Sequence, residues 1–314
     1  MQFISIQHRE SWFEGFQGLR LYCQSWHADQ PSQAVLVLVP GLGGHSDLFT
    51  SLVQFFVPKG YTIYAYDLRG NGRSQGRRGH IDHWAEFRED LRRFLQWVQQ
   101  QEPGSACFLL GHSLGGAIAL DYVLHAPEEA ARLQGVIALS PALGQVGVSP
   151  IKLVLGRLLS RLWPTFSLST GFDLSASSRD PEYVAVATQD PLRHTWASAR
   201  LSTEYFATID WLQTHAPEWS LPLLMLQGEG DRVTLPEGSH TFFQQVTFAD
   251  KEWQSYPEGY HELHNDLCAP VLFADLESWL IRHLPPPVIY PGSDSSEADA
   301  ADAMQPTDHL ISPS

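Results

Sequence analysis

Gly111-His112-Ser113-Leu114-Gly115 is the stretch whose residue types and spacing most directly imply chemistry. A serine with glycine two positions before and after it forms a nucleophile elbow when a strand precedes it and a helix follows. Cys107 to Leu110 is a short apolar run that reads as a buried strand, and Ala117 to Leu124 reads as the start of a helix. So sharp a turn strains the serine backbone and thrusts its hydroxyl clear. Glycine is needed at 111 and 115 because a Cβ there would collide with the neighbouring strand and helix. The same turn puts the amide of Leu114 at a helix N-terminus, where it can help hold an oxyanion. The competing reading is a purely structural turn; the flanking strand and helix favour a nucleophile.

A serine nucleophile needs an oxyanion site, a base and an acid, and each has candidates. Ala34 to Val39 runs straight into Pro40-Gly41-Leu42-Gly43-Gly44-His45-Ser46. Glycines there let the backbone approach a substrate, with the amide of Leu42 as the expected second oxyanion donor. A phosphate loop is disfavoured because no Gly-Lys-Ser follows. Leu221 to Leu226 leads into Gln227-Gly228-Glu229-Gly230-Asp231-Arg232-Val233. An acid just past a strand's C-terminal end lies where open α/β sheets bind ligands. Glu229 and Asp231 are two apart, so both can face the same way and spacing does not choose between them. His261 falls between an expected last strand, Glu252 to Tyr256, and a closing helix, Asp266 to His283. It completes the order Ser…Asp…His. His264, expected in the first turn of that helix, is its rival. Asp67 and Arg69, at the end of the strand Tyr61 to Tyr66, read as structural residues that hold loops by hydrogen bonds.

These residues must be positioned by a sheet. Ser11 to Phe16 and Leu19 to Trp26 flank Gln17-Gly18 as a hairpin. Helices are expected over Asp47 to Val57 and Asp82 to Gln101, the second with Trp84, Phe87, Leu91, Phe94, Leu95 and Val98 on one stripe. Gly135 to Ser140 is a further strand. Alternating strands and helices imply an α/β protein with a mostly parallel central sheet flanked by helices. The rhythm breaks from Gly144 to Ser202, where no strand is expected. There Ile151, Val154, Leu155, Leu158, Leu159 and Leu162 recur at helical spacing beside Lys152, Arg157 and Arg161. One reading is a helix that covers the core. The other is a lid whose apolar face lines an acyl tunnel or docks with its basic flank on an anionic membrane. The expected domains are therefore a core in two parts, 1–143 and 203–284, a helical lid insertion over 144–202, and a disordered acidic tail over 285–314.

Net charge is −15, and the tail contributes five acids without a Lys or Arg, leaving the body at about −10. An acidic body argues against a nucleic-acid partner. Cys23, Cys107 and Cys268 are odd in number and lack metal-like spacing, so three free thiols in a reducing compartment are expected. Met1 to Glu10 has no apolar h-region, and no run reaches bilayer-spanning length. The expected location is cytoplasmic, with peripheral membrane contact through the lid.

The chain resembles the monoacylglycerol lipase / lysophospholipase branch of the α/β-hydrolases, the group labelled serine aminopeptidase S33-like. The resemblance runs from about Phe13 to Leu284. It is carried by the elbow motif, by Asp67-Leu68-Arg69-Gly70-Asn71-Gly72-Arg73-Ser74 and by Gln189-Asp190-Pro191-Leu192. It extends through Gly228-Glu229-Gly230-Asp231-Arg232-Val233 and Tyr260-His261-Glu262-Leu263-His264-Asn265-Asp266. The resemblance implies an α/β-hydrolase fold with Ser113 as nucleophile, Asp231 rather than Glu229 as acid, His261 as base, and the amides of Leu42 and Leu114 as the oxyanion hole. It implies no cofactor or metal, and a small-molecule acyl ester or lipid as substrate. Pro40-Gly41 replaces the family's usual His-Gly, and Gly44 and Leu48 stand where monoacylglycerol-specific members carry an acid and an arginine for the glycerol head. A peptidase or amidase of S33 type, or a non-catalytic ligand-binding relative, are the alternatives to an ester hydrolase.

Overall fold

In the computed structural model, which describes residues 5–144 and 150–286, a long antiparallel hairpin opens the chain: β1 (Ile6–Glu14) pairs with β2 (Arg20–Ala28) along its whole length. Then come β3 (Ala34–Val39), α1 (Thr50–Phe56), β4 (Tyr61–Tyr66), α2 (Ala85–Gln101), β5 (Cys107–His112), α3 (Leu114–His125), α4 (Pro127–Ala130) and β6 (Gly135–Leu139). Between β6 and the next long helix lie α5 (Pro150–Leu162), β7 (Ser167–Ser169), α6 (Pro181–Ala187) and β8 (Trp196–Ser198). After these come α7 (Ala199–His215), β9 (Leu223–Gly228), α8 (Pro236–Gln245), β10 (Lys251–Tyr256) and α9 (Ala269–His283). The main sheet has eight strands in the order β1-β2-β4-β3-β5-β6-β9-β10. Only the β1–β2 and β2–β4 pairings are antiparallel. This is the α/β-hydrolase architecture expected from the sequence.

The continuous apolar strands follow from burial on both faces. In β3, Val35, Val37 and Val39 pack with Leu91 and Phe94 of α2 and Ile118 of α3, while Leu36 and Leu38 pack with Phe56 of α1 and Leu276 of α9. Parallel strands align their C-terminal ends, so the loops after β3, β5, β9 and β10 gather along one edge. Those loops carry Leu42, Ser113, Asp231 and His261.

Asp67 and Arg69 anchor this edge. Asp67 accepts from the backbone amide of Ser46 at 2.7 Å and that of Arg73 at 2.8 Å, tying the loop after β4 to the loop after β3. Burial pushes the Asp67 carboxyl up from its ordinary value. Arg69 is buried and donates to both oxygens of Asp90 at 2.6 and 2.8 Å and to Glu86 at 2.6 Å, clamping α2.

Several details differ from expectation. The insertion does contain strands: β7 and β8 pair antiparallel with each other, and three residues apiece leave no readable periodicity. Residue 202 lies inside α7, whose Leu201, Ile209 and Leu212 belong to the core. His264 sits in a separate 3-10 turn, Leu263–Asn265, and α9 begins only at Ala269. The stripe on α5 faces outward: Val154, Leu155, Leu158 and Leu162 are 64%, 53%, 52% and 75% exposed. Leu159 of the same stripe is half-buried, and Ser160 of α5 bonds Thr203 of α7 at 2.8 Å. The side chains of Ile151 and Lys152 lie outside the described residues. Two units are distinguished, Met1–Leu284 and Pro285–Ser314, and the acidic tail from residue 287 onward is likewise outside the described residues. Among the described residues no helix is long and apolar enough to cross a membrane.

Arg69 gives the fold a single point of failure, because its removal strands two buried carboxylates. We expect Arg69→Met to lose about 3–5 kcal/mol of unfolding free energy, measured by urea denaturation.

Candidate active site

Ser113 is held between β5 and α3 at φ 55° and ψ −120°. For a residue with a Cβ this left-handed region costs on the order of 1–3 kcal/mol. The crowding that enforces it is backbone against backbone. A Cβ on Gly111 would lie 2.2 Å from the carbonyl oxygen of Gly115, and one on Gly115 would lie 2.2 Å from that of Val39. The turn is tied to the next strand, since Ser113 N donates to Leu139 O at 3.0 Å and Ala142 N donates to Ser113 O at 2.9 Å. Leu114 is the first residue of α3, where a helix leaves its amides without intrahelical acceptors. The loop after β3 crosses directly over the serine: a Cβ on Gly41 would lie 3.0 Å from Ser113 Cβ and 3.4 Å from its Oγ. Leu42 follows Gly41 in that loop.

His261 and Asp231 meet, with His261 Nδ1 donating to Asp231 Oδ2 at 2.8 Å and both side chains buried. Burial works against the Asp231 carboxylate. The facing imidazole and the backbone amides of Val233 and Thr234, at 2.8 and 3.0 Å from Oδ1, outweigh it and hold the carboxyl below its ordinary range. Glu229 is exposed and accepts from Ser255 at 2.9 Å instead. His112 packs against His261: its ring centroid is 4.9 Å from that of His261, and its Nε2 donates to His261 O at 3.3 Å. Burial, and then the neighbouring His261 and His264, push the His112 imidazole far down, so it stays neutral. His264 is fully inside, against Phe49 and His112, and burial drives it down to about 4. Phe172 of the insertion presents its ring edge-on to His261 at 6.2 Å between centroids. Among the described residues no group of three or more His, Cys, Asp or Glu side chains could hold a metal ion.

Residues 30–268 match the family described as Serine aminopeptidase, S33. The chain belongs to this family. It is 31% identical over 283 residues, 90% of its own length and 100% of the relative's, to a monoacylglycerol lipase of Mycolicibacterium smegmatis. The solved monoacylglycerol lipase of Paleococcus ferrophilus matches 84% of this chain and 99% of its own at 31% identity and a TM-score of 0.75. A soluble variant of the Saccharomyces cerevisiae monoglyceride lipase, solved with a substrate analogue, superposes over 88% of this chain and 96% of its own with a TM-score of 0.79 at 23% identity. The protein is thus a monoacylglycerol lipase-like α/β-hydrolase, a carboxylic ester hydrolase within the S33 family.

One residue of this S33 site went unread in the sequence. Thr234 Oγ1 is buried 2.8 Å from Asp231 Oδ2, 3.2 Å from His261 Nδ1 and 3.2 Å from Ser140 O. Only its position three residues after Asp231 could have flagged it, as a side chain that can curl back on an acid in a loop. Its hydroxyl donates to the carboxylate oxygen that His261 also uses, so it fixes where that oxygen stands. We expect Thr234→Val to lower kcat about tenfold at unchanged KM, the equivalent of one hydrogen bond to a charged group, with Thr234→Ser restoring it. Steady-state kinetics on a soluble ester checks this.

Proposed function

We propose that this protein hydrolyses carboxylic esters of apolar acyl chains, of monoacylglycerol or lysophospholipid type, through a Ser113–His261–Asp231 triad and an acyl-enzyme. The observation that carries the reading is the strained backbone of Ser113 on the edge where His261 is paired with Asp231. His261 Nε2 takes the proton of Ser113 Oγ as the oxygen attacks the acyl carbonyl. Asp231, bonded to Nδ1–H, holds the tautomer that leaves Nε2 free and stabilises the imidazolium. The developing oxyanion sits between the amides of Leu42 and Leu114, each contributing about 3 kcal/mol to lowering the barrier. The imidazolium returns its proton to the leaving alcohol. Water, deprotonated by the same histidine, then attacks the acyl-serine and frees the acid.

Two features bear on substrate. The α5 stripe is outward-facing, continues into Trp163 at 58% exposure, and is flanked by exposed Arg157 and Arg161. In this reading it forms a lid that docks on an anionic lipid surface, from which an acyl chain enters. Gly44 and Leu48 lie against each other, a Cβ on Gly44 falling 3.2 Å from Leu48 Cδ1. An apolar contact therefore occupies the place that resembling lipases give to charged head-group ligands. Recognition then rests on the acyl chain more than on the head.

The test is a panel of monoacylglycerols, lysophospholipids and p-nitrophenyl esters of graded length, with aminoacyl anilides alongside, on wild type and Ser113→Ala. We expect kcat/KM to climb from acetyl to medium and long chains. For one chain length it should vary little with head group, and Ser113→Ala should lose about 10⁴-fold or more. Activity that peaks at acetyl contradicts the lipid assignment, and faster turnover of anilides than of esters favours a peptidase.

A further inference from the structure

The Gln189-Asp190-Pro191-Leu192 motif belongs to the insertion and lies outside the triad and the oxyanion loop. Yet residues 190–194 touch the loops on both sides of the reaction centre. On the oxyanion side, Asp190 Oδ2 pairs with His45 Nε2 at 2.7 Å. His45 is buried, and its Nδ1 stands 3.4 Å from Asp47 Oδ2, so the ring lies between two carboxylates. His194 N donates to Gly43 O at 3.2 Å, and His194 Nε2 donates to Asn71 Oδ1 at 2.6 Å. Gly43 has φ +67°, and a Cβ on it would fall 1.7 Å from His194 O, so the insertion backbone rests directly on the residue after Leu42.

On the base side, Arg193 Nη2 donates to Glu262 Oε1 at 2.6 Å and Arg193 Nη1 donates to the hydroxyl of Tyr183 at 3.0 Å. That hydroxyl in turn donates to Glu262 Oε2. Glu262 adjoins His261 in sequence, and its amide donates to Ser177 O of the insertion at 2.7 Å. The Arg193 and Glu262 side chains are only 8% and 3% exposed, so the pair is not loosened by water. Its guanidinium is bonded to two partners through different nitrogens, a fixed fork that a flexible ammonium would not reproduce.

We infer that the segment Asp190–His194 is a positioning strut for catalysis: through His45 and Gly43 it sets the amide of Leu42, and through Glu262 it sets His261, fixing the oxyanion donor and the base relative to each other. The inference rests on the triad reading given above. No residue of the strut reacts. Its effect is on geometry, where a displacement of about 1 Å costs about 10²-fold in rate.

The test uses Asp190→Asn, which keeps shape but removes the charge facing His45, and Arg193→Met combined with Glu262→Gln, which removes the guanidinium without leaving a buried carboxylate unpaired. Measured for each are kcat and KM on one soluble ester, inhibition by a trifluoromethyl ketone that forms a tetrahedral oxyanion, and thermal unfolding. We expect kcat to fall at least about tenfold in each variant with KM within about twofold, and the ketone to lose affinity in parallel. Wild-type kcat and ketone affinity in the folded variants overturn the strut, whatever their melting temperatures. Should the double variant fail to fold, Asp190→Asn decides alone, because Asp190 is already 19% exposed. Ser113→Ala and His261→Ala run alongside: if either keeps wild-type turnover, the triad reading fails; if both are inactive while the strut variants match wild type, only the strut fails.

Discussion

Close backbone packing around Ser113 is the constraint on which the rest of the structure depends. The carbonyls of Val39 and Pro40, the turn at Gly111 and Gly115, and the end of β6 at Leu139 converge with no room for side chains between them. The convergence holds the serine at a φ that an isolated chain would leave, and the cost is offset by the surrounding sheet. Strands β3, β5 and β6 are buried almost throughout, and the two core clusters on either face keep them from shifting. A rigid sheet turns one strained residue into a fixed position for its hydroxyl.

Around that point the chemistry is assembled by loops that the sheet alone does not hold. Asp67 and Arg69 fasten the loops after β3 and β4 from below. Thr234 and two backbone amides fasten Asp231. Residues 190–194 bond to the loops after β3 and β10, Asp190 to His45, His194 to Gly43 and Arg193 to Glu262. Residues 190–194 and α5 differ in character: the Arg193–Glu262 pair is buried, whereas α5 turns Val154, Leu155, Leu158 and Leu162 outward.

Most of the sheet was legible in the sequence because burial on both faces writes itself as unbroken apolar runs. β3 and β4 begin and end at the residues expected, Ala34–Val39 and Tyr61–Tyr66. The elbow was legible because its glycines answer a steric demand that no other residue meets. Other features were not. Periodicity showed a stripe on α5 but not its direction, since a helix outlined by leucines reads the same facing the core or facing away. Glu229 and Asp231 have the same parity, so spacing left them level and only the family resemblance named Asp231; in the structure one meets Ser255 and the other His261. Arg193 and Glu262 are 69 residues apart, and no local pattern announces a pair formed by a loop folding back over a sheet edge.

Activation of Ser113 as a nucleophile by His261, as proposed, is open to direct measurement. Its most direct measurement is labelling by a fluorophosphonate probe, followed by peptide mapping of the adduct and by labelling rates for wild type and His261→Ala. A single adduct is expected, on Ser113, formed at a rate that collapses when His261 is replaced. An adduct on another residue, no adduct at all, or a rate indifferent to His261 would contradict it.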